Sequence, residues 1–439
     1  MNNLSILKEF PTDFIFGTAT SSYQIEGNSF GGCGKSIWDE FAKKRLKGVD
    51  GQKACNHFNY FKEDIKFIKE AGFKAYRFSF SWPRILPSDH NTINTEGLDF
   101  YSRLLDEILK NDLEPFPTLY HWDLPLRFSS LGGWENQDTC KRFADFSYII
   151  SEKYSDKFQK IATINEPWCV SWLSHYLGEH APGLTNLSSA VKTMHNILLA
   201  HGMSLQALRS NGNNEIGIVL NNEYPEPFNE DPKNIQAAKL FDDIYNRWFS
   251  DAIFKGSYPE LALNILEKYL PKNYNSQLKI ISHPIDWIGI NYYTRSVIKY
   301  LNADDGINYE CERGSLKKTD MGWELYPKGL SYFIERIHQE YSDDIPIYVT
   351  ENGMANNDQI SSNEVIEDQD RVEYFQLHLK EILDCLKKGI QVKGYFAWSL
   401  LDNYEWAFGY EKRFGLIYVD FETFKRTPKI SFNQFSKYL

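Results

Sequence analysis

Two short segments of the chain set a glutamate at the end of an apolar, β-branched run: Thr163-Ile164-Asn165-Glu166-Pro167 and Val349-Thr350-Glu351-Asn352-Gly353. A pair of carboxyl groups can divide acid and base work. Breaking a glycosidic bond without a metal needs such a pair, one carboxylic acid to protonate the departing oxygen and one carboxylate to stabilise or attack the anomeric carbon. Taken singly, either glutamate reads as a salt-bridge partner or helix cap, the commoner fate of a Glu. The chemistry therefore depends on whether the fold brings two distant stretches of chain to one place.

The elements that would do so are legible as eight short apolar or aromatic runs: Phe14 to Thr20, Ala75 to Ser81, Glu114 to Tyr120, Lys160 to Asn165, Glu215 to Asn221, Asp286 to Tyr293, Ile345 to Thr350 and Val392 to Leu400. Longer stretches with helical periodicity lie between them, such as Tyr60 to Ala71, Leu98 to Lys110, Thr139 to Tyr154, Ala190 to Ser210 and Gln369 to Lys388. Glycines at Gly72 and Gly389 mark helix ends ahead of the next run. Eight strands alternating with helices predict an α/β fold, a single (β/α)8 TIM barrel with elaborated loops spanning residues 1–439.

In such a barrel the active site forms where the strands end and their loops converge. Polar and aromatic residues gather there: Ser22 to Gly27 after the first run, Trp82-Pro83-Arg84 after the second, His121-Trp122-Asp123-Leu124-Pro125 after the third, and Asn165-Glu166-Pro167 at the fourth. Asn291 to Thr294 closes the sixth, Glu351-Asn352-Gly353 the seventh and Trp398 through Trp406 the eighth. Both glutamates thus fall at one barrel mouth.

The composition narrows the partners. A net charge of -11 with no basic run disfavours nucleic acid. Aromatics reach 15%, enough to fill a core and leave rings over for a pocket. The six cysteines, Cys33, Cys55, Cys140, Cys169, Cys311 and Cys385, are scattered without a Cys-x-x-Cys pair or histidines at metal-ligand spacing, which predicts unpaired thiols in a reducing cytoplasm, no metal and no cofactor. Met1 to Phe10 lacks a signal-peptide core, and nothing later has the length of a membrane span.

These segments resemble glycoside hydrolase family 1, the β-glucosidase and β-galactosidase group, along essentially the whole chain. Thr163 to Pro167 is similar to the family's acid/base motif, Val349 to Gly353 to its nucleophile motif, and Phe14 to Gly27 to its N-terminal signature. The resemblance implies a metal-free retaining hydrolase that removes a terminal β-linked sugar, with Glu351 as nucleophile and Glu166 as acid/base. Their carboxyls should then lie ~5 to 5.5 Å apart. Glu351 should be ionised at rest and Glu166 protonated. Arg77 and Tyr293 resemble the residues that hold the nucleophile, and Asn291 one that orients substrate against the pair.

By the same resemblance Gln24, His121, Asn165 and Glu405 match sugar-hydroxyl positions, Trp398 and Trp406 line the subsite, Phe414 closes it and Trp122 supports His121. Trp168 and Trp323 read either as lining the leaving-group side or as loop packing, and His180 as a rim residue or a structural one. Glu405 bears on substrate class, because a carboxylate there would repel a 6-phosphate; Tyr410 and Lys412 nearby are weak counter-evidence. The expected substrates are small unphosphorylated β-glycosides: cellobiose, short cello-oligosaccharides and aryl glucosides. A 6-phospho-β-glucosidase and a non-catalytic sugar-binding barrel are the competing readings.

Overall fold

The computed structural model describes residues 3–88, 92–361 and 365–439. All eight predicted runs form strands: β1 (Ile15–Ala19), β2 (Ala75–Ser79), β3 (Glu114–Tyr120), β4 (Lys160–Asn165), β5 (Glu215–Pro227), β6 (Trp287–Tyr300), β8 (Ile347–Asn352) and β9 (Val392–Trp398). They pair in parallel around a ring that closes through β1–β9 and β5–β6. With helices between the strands this is a (β/α)8 barrel.

β5 and β6 continue well past the ring, and β7 (Tyr309–Glu312) pairs antiparallel with the outer part of β6. A small hairpin of β10 (Ile417–Val419) and β11 (Arg426–Pro428) completes the strands.

Much of the aromatic excess fills the barrel. Phe116 on β3 packs against Trp287, Tyr348 and Phe396 with ring centroids 5.2, 5.2 and 4.9 Å away. Small residues on the other strands, Ala19, Ala75, Ala162 and Val219, make room for this plug. Gly217 on β5 does so at the limit: a Cβ there would sit 2.4 Å from the Trp287 ring.

The surrounding helices follow the expected periodicity. Thr95–Lys110 buries Phe100, Tyr101, Leu104, Leu105 and Ile108, a stripe at spacings of one, three and four that can face only one way. Helix His57–Glu70 ends as predicted, with Gly72 at φ +81. All six cysteines are unpaired thiols, and among the described residues no helix is long and apolar enough to cross a membrane.

Candidate active site

Glu166 and Glu351 line one cavity of about 270 Å³ at the C-terminal mouth of the barrel. The backbone delivers them differently. Glu351 stands within β8, opposite Asn291 of β6, one residue beyond the seventh run as read from sequence. Glu166 follows β4 at φ +51, its N–H donating to the Val219 carbonyl of β5. A left-handed conformation costs a non-glycine residue about 1 kcal/mol or more, and Pro167 disfavours the ordinary helical alternative for its predecessor. That turn directs the Glu166 side chain over the barrel mouth rather than along the strand.

The two carboxyls then meet opposite surroundings. Arg77 Nη1 donates to Glu351 Oε1 at 2.5 Å and the Tyr293 hydroxyl to Oε2 at 2.7 Å, so both oxygens receive bonds suited to a carboxylate. Glu166 receives only neutral donors, Asn291 Nδ2 at 2.7 Å and the Cys169 thiol at 3.1 Å. Burial and the neighbouring charge of Glu351 push the Glu166 carboxyl up to about 8. The guanidinium against Glu351 suits a carboxylate there, while Glu166, without one, is pushed toward its protonated form.

A chain of amides fixes this arrangement. Asn165 Oδ1 accepts from Arg77 Nη2 at 2.7 Å and from Asn291 Nδ2 at 3.0 Å, which turns its Nδ2 toward His121 Nε2, 3.2 Å away. Asn291 Oδ1 accepts from the Thr350 hydroxyl at 2.7 Å, so its amide must donate toward Glu166. His121 is buried beside Arg77, which together hold its pKa well below the usual value. A neutral ring accepting at Nε2 carries its proton on Nδ1.

The predicted sugar wall assembles around His121. Trp398 and Trp406 lie nearly parallel to its ring at 5.8 and 5.9 Å, and Trp122 packs on both His121 and Trp406 while donating Nε1 to the Asn165 carbonyl at 3.0 Å. Phe414 and Trp323 close the opposite side against Tyr293. Trp168 packs on Tyr245 with ring centroids 4.1 Å apart and planes tilted by 31°, and it faces the cavity, as does His180.

Gln24 and Asn165 stand behind the lining rather than in it. Both are fully buried. Gln24 Nε2 donates to Asn403 Oδ1, to the Tyr404 carbonyl and, at 3.4 Å, to Glu405 Oε2.

Glu405 faces the cavity with no cation against it, and burial plus Glu351 and Glu166 push its carboxyl up to about 8. Burial and the two neighbouring glutamates thus work against a charge on Glu405, which weakens the repulsion expected toward a 6-phosphate. The cations are what is missing: Lys412 pairs with Asp320 at 3.0 Å, and the Tyr410 hydroxyl donates to the Asp50 carbonyl.

Among the cavity residues that escaped the sequence reading are Cys169, Tyr245 and Glu223. Cys169 lies three residues beyond Glu166, on the same turn, a spacing that could have exposed it. Tyr245 sits in a helical segment with no strand-end position to announce it. Glu223 occupies the extension of β5, beyond the Asn221 that ended the fifth run.

Comparison with known proteins agrees with this geometry. The family described as glycosyl hydrolase family 1 matches residues 6–439. The 1,4-beta-D-glucan glucohydrolase of Thermotoga neapolitana is 43% identical, with 97% of each chain covered. Beta-glucosidase A of Thermotoga maritima is 41% identical, over 97% of this chain and 96% of its own. A solved structure of the family 1 β-glucosidase from Thermotoga maritima, in complex with isofagomine lactam, superposes with a TM-score of 0.94, covering 98% of both chains at 41% identity.

Proposed function

The chain belongs to glycosyl hydrolase family 1, and from that membership we propose that it is a retaining, exo-acting β-glucosidase with Glu351 as nucleophile and Glu166 as acid/base. The observation that carries the assignment of roles is the asymmetry of the pair: Arg77 and Tyr293 on Glu351, neutral donors and a carboxyl raised to about 8 on Glu166.

In the first step a Glu351 oxygen attacks C1 while protonated Glu166 gives its proton to the glycosidic oxygen, so the C1–O bond breaks, the aglycone leaves as an alcohol and an ester to Glu351 forms. Loss of the proton leaves Glu166 a carboxylate, ready to take a proton from water. That water attacks C1, the ester breaks, and β-glucose departs with Glu351 and Glu166 restored. Tyr293 donates to Glu351 at rest, and Asn291 donates to Oε1 of Glu166, so the transferable proton belongs on Oε2, beside the Cys169 thiol.

The substrate class proposed is unphosphorylated: cellobiose, short cello-oligosaccharides and aryl β-glucosides, in polysaccharide degradation. The engagement of Lys412 by Asp320 supports this over a 6-phosphoglucoside. The full constellation of Glu166, Glu351, Arg77 and Tyr293 argues against a barrel that only binds sugar. One catalytic domain spanning residues 1–439 is the matching reading of the organisation, and its unpaired thiols favour the cytoplasm. Replacing Glu351 with Gln tests the reading: turnover of nitrophenyl β-glucoside should fall by at least 10³-fold with the fold intact. Unchanged turnover would refute it.

A further inference from the structure

Glu223 is a carboxylate on the leaving-group side of the cavity that no part of the double displacement uses. It sits where the β5–β6 pairing slips, between Asn222 and Tyr224, and such a bulge turns one side chain out of the regular alternation. Asn246 locks this backbone from both sides, accepting from the Glu223 N–H at 3.2 Å and donating to its carbonyl at 3.0 Å. The side chain therefore faces the cavity that also holds Glu166, Trp168 and Trp323.

Its electrostatic situation is unusual. The carboxyl receives the Ser296 hydroxyl, and Tyr245 also donates to it; Arg295, next to Ser296 in sequence, is taken by Glu226 and by Glu324 at 2.7 Å. Burial pushes the Glu223 carboxyl above its ordinary range. A carboxyl group facing a cavity with hydroxyl donors and no cation has acceptor capacity left for a ligand. The neighbouring Asn222 amide donates one N–H to Asn246 Oδ1 at 3.3 Å.

We propose that Glu223 is a specificity-determining residue that accepts hydrogen bonds from the hydroxyls of a sugar leaving group, so that the protein favours a second sugar unit over a flat aryl group at this position. The inference rests on the β-glucosidase reading above. A sugar presents adjacent hydroxyls that a carboxylate can take together, whereas a nitrophenyl ring offers it no donor. The Trp168 and Trp323 faces serve either leaving group and so do not discriminate.

Kinetics of Glu223→Ala and Glu223→Gln on cellobiose and on nitrophenyl β-glucoside provide the test. Wild type should cleave both. In Glu223→Ala, kcat/KM for cellobiose should fall at least tenfold, mainly through KM, with nitrophenyl glucoside within twofold of wild type; Glu223→Gln, which keeps one acceptor oxygen, should fall between. Equal losses on both substrates, or a loss on neither, would overturn the role of Glu223 while leaving the glycosidase reading standing. A wild type that cleaves neither would overturn both.

Discussion

Of Glu166, Glu351 and Glu405 at the barrel mouth, Glu351 alone is paired with a guanidinium. This distribution leaves Glu166 and Glu405 as groups whose carboxyls rise to about 8, and each makes a pH-dependent prediction. As the proposed acid, Glu166 must carry its proton in the free enzyme, so kcat/KM for a glucoside with a poor leaving group should fall as pH rises through about 8. Asn291 donates to the ionised form and holds that value down. Asn291→Ala should accordingly move the alkaline limb to higher pH, as well as lower kcat, in a pH profile on an alkyl glucoside. A second consequence concerns stability. A carboxyl raised on folding takes up a proton between the unfolded value and the folded one, so its cost is absent below about pH 4 and grows to its full size by about pH 8. Glu405→Gln should therefore melt higher than wild type at pH 8 and equally at pH 4, measured by thermal unfolding, even as it weakens sugar binding.

At the scale of elements, strand ends explain which residues sequence could reveal. Glu351, Asn291 and Tyr293 lie at positions that the runs themselves identify, since alternation along a strand and the polarity of its end fix where each side chain points. Gln24 was recognisable by motif, yet the short helix Ser22–Ile25 buries it against Asn403 and Tyr404, a tertiary contact from the far end of the chain. Glu223 was missed because β5 runs on to Pro227 after its apolar stretch ends, held by pairing with β6 rather than by its own composition. The interior of the ring is more rigidly specified. Gly217 leaves no space beside Trp287, and Gly217→Ala should cost ~1–3 kcal/mol in chemical denaturation through overpacking, with little change in KM.

For the whole molecule, the eight runs and the helical stretches between them were sufficient to give the barrel, because a closed parallel ring has a strong period and few alternatives. Less legible were the extensions of β5 and β6, the added β7 and the loops that shape the leaving-group side. These depend on contacts between segments far apart in sequence. Charge at the mouth bears on the proposed substrate class at this scale too: among the described residues no Lys or Arg lines the cavity. With Lys412 tied to Asp320, nitrophenyl β-glucoside should be cleaved at least tenfold faster than its 6-phosphate in kcat/KM; the reverse order would reassign the substrate. The barrel's central service is to set two glutamates from β4 and β8 against each other with different protonation. Trapping the covalent intermediate with a 2-deoxy-2-fluoro β-glucoside and locating the sugar by peptide mass spectrometry tests that most directly. The ester should be found on the peptide containing Glu351 and on that residue. A stable ester on Glu166, or turnover of the reagent with inversion and no ester, would contradict the account.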